Sequence, residues 1–101
     1  MEVNIKDLDN KKYIKLIGDL DGVSSNEVTE KILEVAENNN NIVIDMAECP
    51  YVSSAGLRTL LTIGKSVKLK KGHMHIINLV DEVKEIMEMT GFANIFKEFE
   101  N

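Results

Sequence analysis

Read for alternation of apolar and polar positions, the chain opens on two short strands. Val3, Ile5 and Leu8 alternate with polar residues, and after the polar run Asp9-Asn10-Lys11-Lys12 a strand-like pattern resumes over residues 13–18. An Asp-Asn turn between two such runs predicts an antiparallel hairpin. Gly18-Asp19-Leu20-Asp21-Gly22 breaks the pattern. Ser24, with Glu27 three residues on, then reads as a capping box opening a helix whose inner face is Val28, Ile32, Val35 and Ala36. Asn38 to Asn41 end that helix; asparagine tolerates left-handed angles and competes for backbone hydrogen bonds, which suits a connector.

Ile42-Val43-Ile44 is a continuous β-branched run and predicts a central strand covered on both faces. A loop with the only proline, Pro50, follows. Leu57, Leu60, Leu61, Gly64, Val67 and Lys68 then keep helical spacing up to Lys70-Lys71, where cations complement the helix dipole and Gly72 is expected to supply the stop. Residues 73–77 form the next strand. Residues 81–89 form a third helix with Val83, Ile86 and Met87 inward, closed by Thr90-Gly91, and Ile95-Phe96 reads as a last short strand with Phe99 tucking the tail down. Strands alternating with helices at this spacing predict one α/β domain over residues 1–101, with a mixed sheet of four to five strands and helices packed against it.

Composition changes this picture little. A length of 101 residues supports one core, and 44% hydrophobic with 29% charged residues is an ordinary globular balance. The net charge of −5, with basic residues scattered among acids, argues against a nucleic-acid face. The single Cys49 excludes an internal disulfide and reads as a small core or loop residue. With no apolar run long enough for a membrane span and no cleavage-site pattern at the start, the expectation is a cytoplasmic protein without membrane contact.

The candidate chemistry gathers at residues 42–58. His73 and His75 share a strand face, but no third ligand is placed near them by sequence, so no metal or cofactor is expected. Ser54 stands at a strand-loop-helix junction, where a hydrolase would carry its nucleophile. The glycine before the serine is missing, and so is an oriented histidine base. A small serine hydrolase is therefore the weak reading. Ser53-Ser54 as an N-cap pair is the plain one. Two features strain it: a cap needs one serine, and Ala55-Gly56 is a bare first turn that suits close approach by another molecule.

Val52-Ser53-Ser54-Ala55-Gly56-Leu57-Arg58, following the strand, resembles the signature loop of STAS domains, specifically of the bacterial anti-sigma factor antagonists. Gly18-Asp19-Leu20-Asp21 is similar to that family's G-[ED]-L-D after its second strand. Lys71-Gly72-His73-Met74 is similar to its glycine turn, and Met89-Thr90-Gly91-Phe92 to its [TS]-G-[LF] at the end of the third helix. The resemblance implies a STAS fold and a binding protein rather than an enzyme. Its unphosphorylated form would bind an anti-sigma factor, a GHKL-type serine kinase, and so free a sigma factor for transcription in stress response or sporulation. A PP2C-type phosphatase would reverse the modification. Carried onto this sequence, the resemblance makes Ser54 the phosphate acceptor, Asp21 the acidic residue near the loop, and Ser53, Ala55, Gly56, Leu57 and Arg58 the remaining partner-binding positions, in a chain that is monomeric when free. Many members carry aspartate before the acceptor where this chain has Ser53, so that hydroxyl is a second candidate. A STAS scaffold or regulator in another partner switch, without sigma release, is the alternative.

Overall fold

The computed structural model describes residues 1–91. The elements run β1 (Glu2–Leu8), β2 (Lys11–Ile17), α1 (Ser25–Ala36), β3 (Asn41–Glu48), α2 (Ser54–Leu69), β4 (His73–Ile77) and α3 (Asp81–Met89). Ile95, Phe96 and Phe99 lie outside the described residues. The four strands form one sheet in the order β1-β2-β3-β4.

The first pair is antiparallel from Glu2↔Ile17 to Leu8↔Lys11, closed by Asp9 and Asn10 with φ of 51° and 65°. Positive φ at both central residues is what a tight two-residue hairpin needs, and Asp and Asn accept it. The other pairs, β2 with β3 and β3 with β4, are parallel, with α1 and α2 as the crossovers. The sheet is therefore mixed, as its alternating pattern predicts.

One face of the sheet carries the core. Ile14 and Leu16 of β2, Ile42, Ile44 and Met46 of β3, and Met74 and Ile76 of β4 pack with Val28, Ile32 and Ala36 of α1, Leu60, Ile63 and Val67 of α2, and Val83 and Met87 of α3. A fully buried side chain such as Leu60 or Ile63 contributes about 1.5–3 kcal/mol, so the α2 face is a principal anchor of the fold. Ile86 is only half-buried, at the rim of its helix. Cys49 is fully buried, and burial raises its thiol pKa, so it is a core residue rather than a nucleophile.

The expectation that β3 is covered on both faces is corrected. All three helices lie on the face of Ile42 and Ile44. Val43 points the other way and is shielded at 5% exposure by its register partners Tyr13 and His75, not by a helix among the described residues. Along this open face Lys15 pairs with Glu48 at 2.7 Å. A β-branched run fits either environment, because cross-strand neighbours can cover a central valine as well as a helix can.

Two helix ends differ from their sequence reading. Ser24 forms no capping box: it has helical backbone angles and no side-chain bond to the helix start, while Glu27 pairs with Lys31 at 2.9 Å. Asp21 takes the capping role. Its Oδ1 accepts from the amides of Val23 at 3.0 Å and Ser24 at 3.1 Å, and its carbonyl accepts from Ser25 N–H at 2.9 Å. A carboxylate is the stronger acceptor and draws Ser24 into the first turn. At the far end of α2, the left-handed residue is Lys71, with φ 61°, and not Gly72. Gly72 N–H reaches Val67 O at 2.9 Å and Lys71 N–H reaches Lys68 O at 2.9 Å, the two bonds of a Schellman end. Gly72 is required for a different reason: a Cβ there would fall inside contact distance of the Asn40 carbonyl. The Asn run in turn shows no left-handed residue; Asn39 closes α1 by donating its side-chain amide to Val35 O at 2.7 Å.

Candidate functional site

The site lies at the carboxyl ends of the two central strands, where open α/β sheets present their loops. Between Lys15↔Asp45 and Ile17↔Glu48 the β2–β3 register slips by one residue on β3, a bulge that bends the strand as it enters the loop. Beyond it the two loops are stitched together. Gly18 N–H donates to Glu48 O at 2.9 Å, Leu20 N–H to Tyr51 O at 3.0 Å and Ser53 N–H to Leu20 O at 2.9 Å, and Leu20 pairs with Val52 in a parallel bridge.

That stitching delivers the two serines to different tasks. Ser53 has extended backbone angles, φ −85° and ψ 177°, and its Oγ accepts from Gly56 N–H at 3.2 Å, so it is the N-cap of α2. Ser54 is the first helical residue and is exposed, and no hydrogen bond to its hydroxyl is formed among the described residues. With no acidic side chain in the first turn of α2, the positive end of the helix dipole lies open beside it.

The remaining predicted positions divide by depth. Arg58 is exposed, Ala55 is half-buried, and Leu57 is half-buried against the core. Gly56 is buried, and a Cβ there would strike the Leu20 carbonyl and come within 2.9 Å of Val52 Cγ1. Its small size therefore answers a contact inside the chain, where the sequence pointed to an approaching molecule. Asp21 follows Leu20 directly, which places its turn beside Ser53. The two amide bonds from Ser24 and Val23 hold its carboxyl below the usual carboxylate range.

Two surface residues escaped sequence reasoning. Val23, at the tip of the Asp21 turn, is 94% exposed, and Tyr51, two residues before Ser53, is 49% exposed. Neither belongs to a periodic pattern, and only the junction of Asp19-Leu20-Asp21 with the loop shows that they belong to the same end of the molecule.

The geometry separates the histidines from Ser54. His73 pairs with Asn41 and His75 with Val43 at the start of β3, whereas Ser54 follows its end. Strand rise puts roughly 15–25 Å between them. They also stand on the face opposite the core that α2 covers, so neither can serve as a base for Ser54. Among the described residues no group of three or more His, Cys, Asp or Glu could hold a metal, and no helix is long and apolar enough to cross a membrane.

A mixed four-stranded sheet with three helices on one face, and a serine-bearing helix start stitched to an acidic turn, is the architecture of one domain class. The sequence matches the STAS domain over residues 2–101, and the chain belongs to that family. BtrV of Bordetella bronchiseptica, assigned to the anti-sigma factor antagonists, is 31% identical over 80% of this chain and 74% of its own length. The anti-sigma-B factor antagonist of Bacillus subtilis is 25% identical over 94% of this chain and 87% of its own. In three dimensions the Bacillus cell fate determinant SpoIIAA, solved in its phosphorylated form, shares the fold at a TM-score of 0.76 and 13% identity, covering 99% of this chain and 91% of that one.

Proposed function

We propose that the protein is an anti-sigma factor antagonist whose binding is switched by phosphate on Ser54. The unmodified protein binds an anti-sigma factor that is a GHKL-type serine kinase, and the sigma factor is released. The Ser54 oxygen then attacks the γ-phosphorus of the kinase's ATP, the bond to ADP breaks, and the hydroxyl proton passes to a base on the kinase. A PP2C-type phosphatase restores the serine by hydrolysis.

The division of labour between the serines carries this reading. The Ser53 oxygen is engaged as a cap, whereas the Ser54 hydroxyl is exposed and, among the described residues, unbonded at the helix start. Phosphate there adds about −1.5 to −2 charges against the positive end of the α2 dipole, which leaves the fold intact. The effect must fall on the complex. A dianion beside Asp21, within a surface made by Ser54, Ala55, Arg58 and the rim of Leu57 over the buried Gly56, opposes docking. A hundredfold loss of affinity takes only about 2.7 kcal/mol, within reach of one buried, unpaired charge. The homologous antagonists support the antagonist part of this reading.

Affinity capture from the source cell with and without ATP and Mg²⁺ tests it. A co-purifying serine kinase that dissociates as phosphate accumulates on the bait is the expected result. A partner that is no kinase, or one indifferent to ATP, would place the domain in a different circuit.

A further inference from the structure

A chain of hydroxyls between α1 and α2, buried at Ser25 and Thr59 and half-buried at Thr29, joins the Asp21 turn to the helix that carries Ser54. Thr59, 5% exposed and one turn beyond Ala55, donates from Oγ1 to the Ser25 carbonyl at 3.3 Å and accepts from Thr29 Oγ1 at 2.9 Å. The Thr29 hydroxyl also lies 2.7 Å from the Ser25 carbonyl. Ser25, itself 5% exposed, is tied back to the Asp21 carbonyl through both its amide and its hydroxyl. The same turn is closed by Ser24, whose Oγ donates to Asp19 O at 2.9 Å and accepts from Asp21 N–H at 3.1 Å. These bonds cross from α2 to the start of α1, between residues thirty and thirty-four apart in sequence. On the other side of the Asp21 turn, Leu20 makes the backbone ties to the loop before α2: its amide donates to Tyr51 O, its carbonyl accepts from Ser53 N–H, and Gly56 packs on that carbonyl.

We infer that Thr59 is a positioning residue, whose buried hydroxyl holds the Asp21 turn in register with Ser54 so that both are presented to the kinase as one rigid surface. A hydroxyl between two packed helices is justified only if it is bonded, and an apolar side chain of the same shape would fill the space as well. The bond fixes the turn rather than the core. Its functional consequence rests on the switch proposed above; its structural part does not.

Amide hydrogen exchange by NMR on wild type, Thr59→Val and Thr59→Ser tests the structural part without any partner. In Thr59→Val the Val23 and Ser24 amides should exchange about tenfold faster, while Ile14 and Ile44 in the sheet keep wild-type protection. Thr59→Ser should restore the slow exchange, and Thr29→Val, which leaves the Thr59–Ser25 bond, should not accelerate it. Should the valine variant fail to fold, Thr59→Ala removes the hydroxyl with less bulk and gives the same reading. Unchanged Val23 and Ser24 exchange, or acceleration shared equally by the sheet amides, overturns the inference. In kinase assays the same variant should show KM raised about fivefold with kcat retained, the mark of weakened docking. A loosened turn with wild-type KM would overturn the presentation role. A wild-type protein that takes up no phosphate would instead refute the switch and leave the exchange result standing.

Discussion

The two ends of α2 are built with one device and left in opposite states. At each end a glycine lets the chain press against a backbone carbonyl, Gly56 on Leu20 and Gly72 on Asn40. At the C-terminal end the polar groups are then consumed: the Schellman bonds close the helix, Lys70 Nζ donates to the last carbonyl of α1 at 3.1 Å, and His73 N–H takes the Asn40 carbonyl at 2.6 Å. At the N-terminal end the cap uses Ser53, and the next hydroxyl is left at the surface with no hydrogen bond among the described residues. Exposed apolar area does not separate the two ends, since Leu69 is 86% exposed and Val23 94%. What separates them, among the described residues, is an exposed hydroxyl without a hydrogen bond, so the same device closes one end of the helix and leaves the other open.

The comparison breaks most readily at the glycines. Gly56→Ala and Gly72→Ala should each lower stability by about 3 kcal/mol in urea unfolding, because the new methyl meets backbone that cannot retreat. Only Gly56→Ala should also weaken partner binding under conditions where both variants remain folded. Next in size is Ser54→Asp, which should lose binding to the kinase by about a hundredfold, roughly 2.7 kcal/mol, while its unfolding free energy stays within about 0.5 kcal/mol of wild type. An unfolded Ser54→Asp by circular dichroism would show that the charge acts on the fold. Ser53→Ala should cost about 1 kcal/mol of stability and leave Ser54 open to phosphate, which intact-mass and peptide mapping would show.

The smallest effect concerns Asp21. Its folded pKa is depressed by two amide donors, so its contribution to stability is present above the ordinary aspartate pKa and is lost as the pH falls through the lowered value. NMR titration should find the carboxyl ionising below the usual range, with the Val23 and Ser24 amides shifting in step. A carboxyl titrating at its ordinary value would remove the cap from the site.

Much of this architecture is legible from residue order. The hairpin, the helix over residues 81–89 and the strand over residues 73–77 follow from local pattern, because alternation and helical spacing report which side of an element meets the core. The loop at Ser53-Ser54 was legible as well. The failures have a common physical cause. Ser24 with Glu27 satisfies the capping-box pattern, yet a neighbouring carboxylate competes for the same amides, and spacing alone does not say which acceptor wins. Gly56 and Gly72 are small because of carbonyls 36 and 32 positions away in sequence, and Val43 is covered by its strand neighbours. Contacts across the fold leave no mark on local periodicity. The exposure of Val23 and the Thr59–Ser25 bond were hidden for the same reason.

The central claim is that one hydroxyl, on Ser54, governs the complex from outside the fold. Incubation with the cognate anti-sigma factor kinase, ATP and Mg²⁺, followed by site mapping of the phosphate and titration of the complex, tests it directly. A single phosphate on Ser54, unchanged circular dichroism and loss of the complex are the expected result. Phosphate on Ser53, or a phosphorylated protein that still binds the kinase with full affinity, would contradict it.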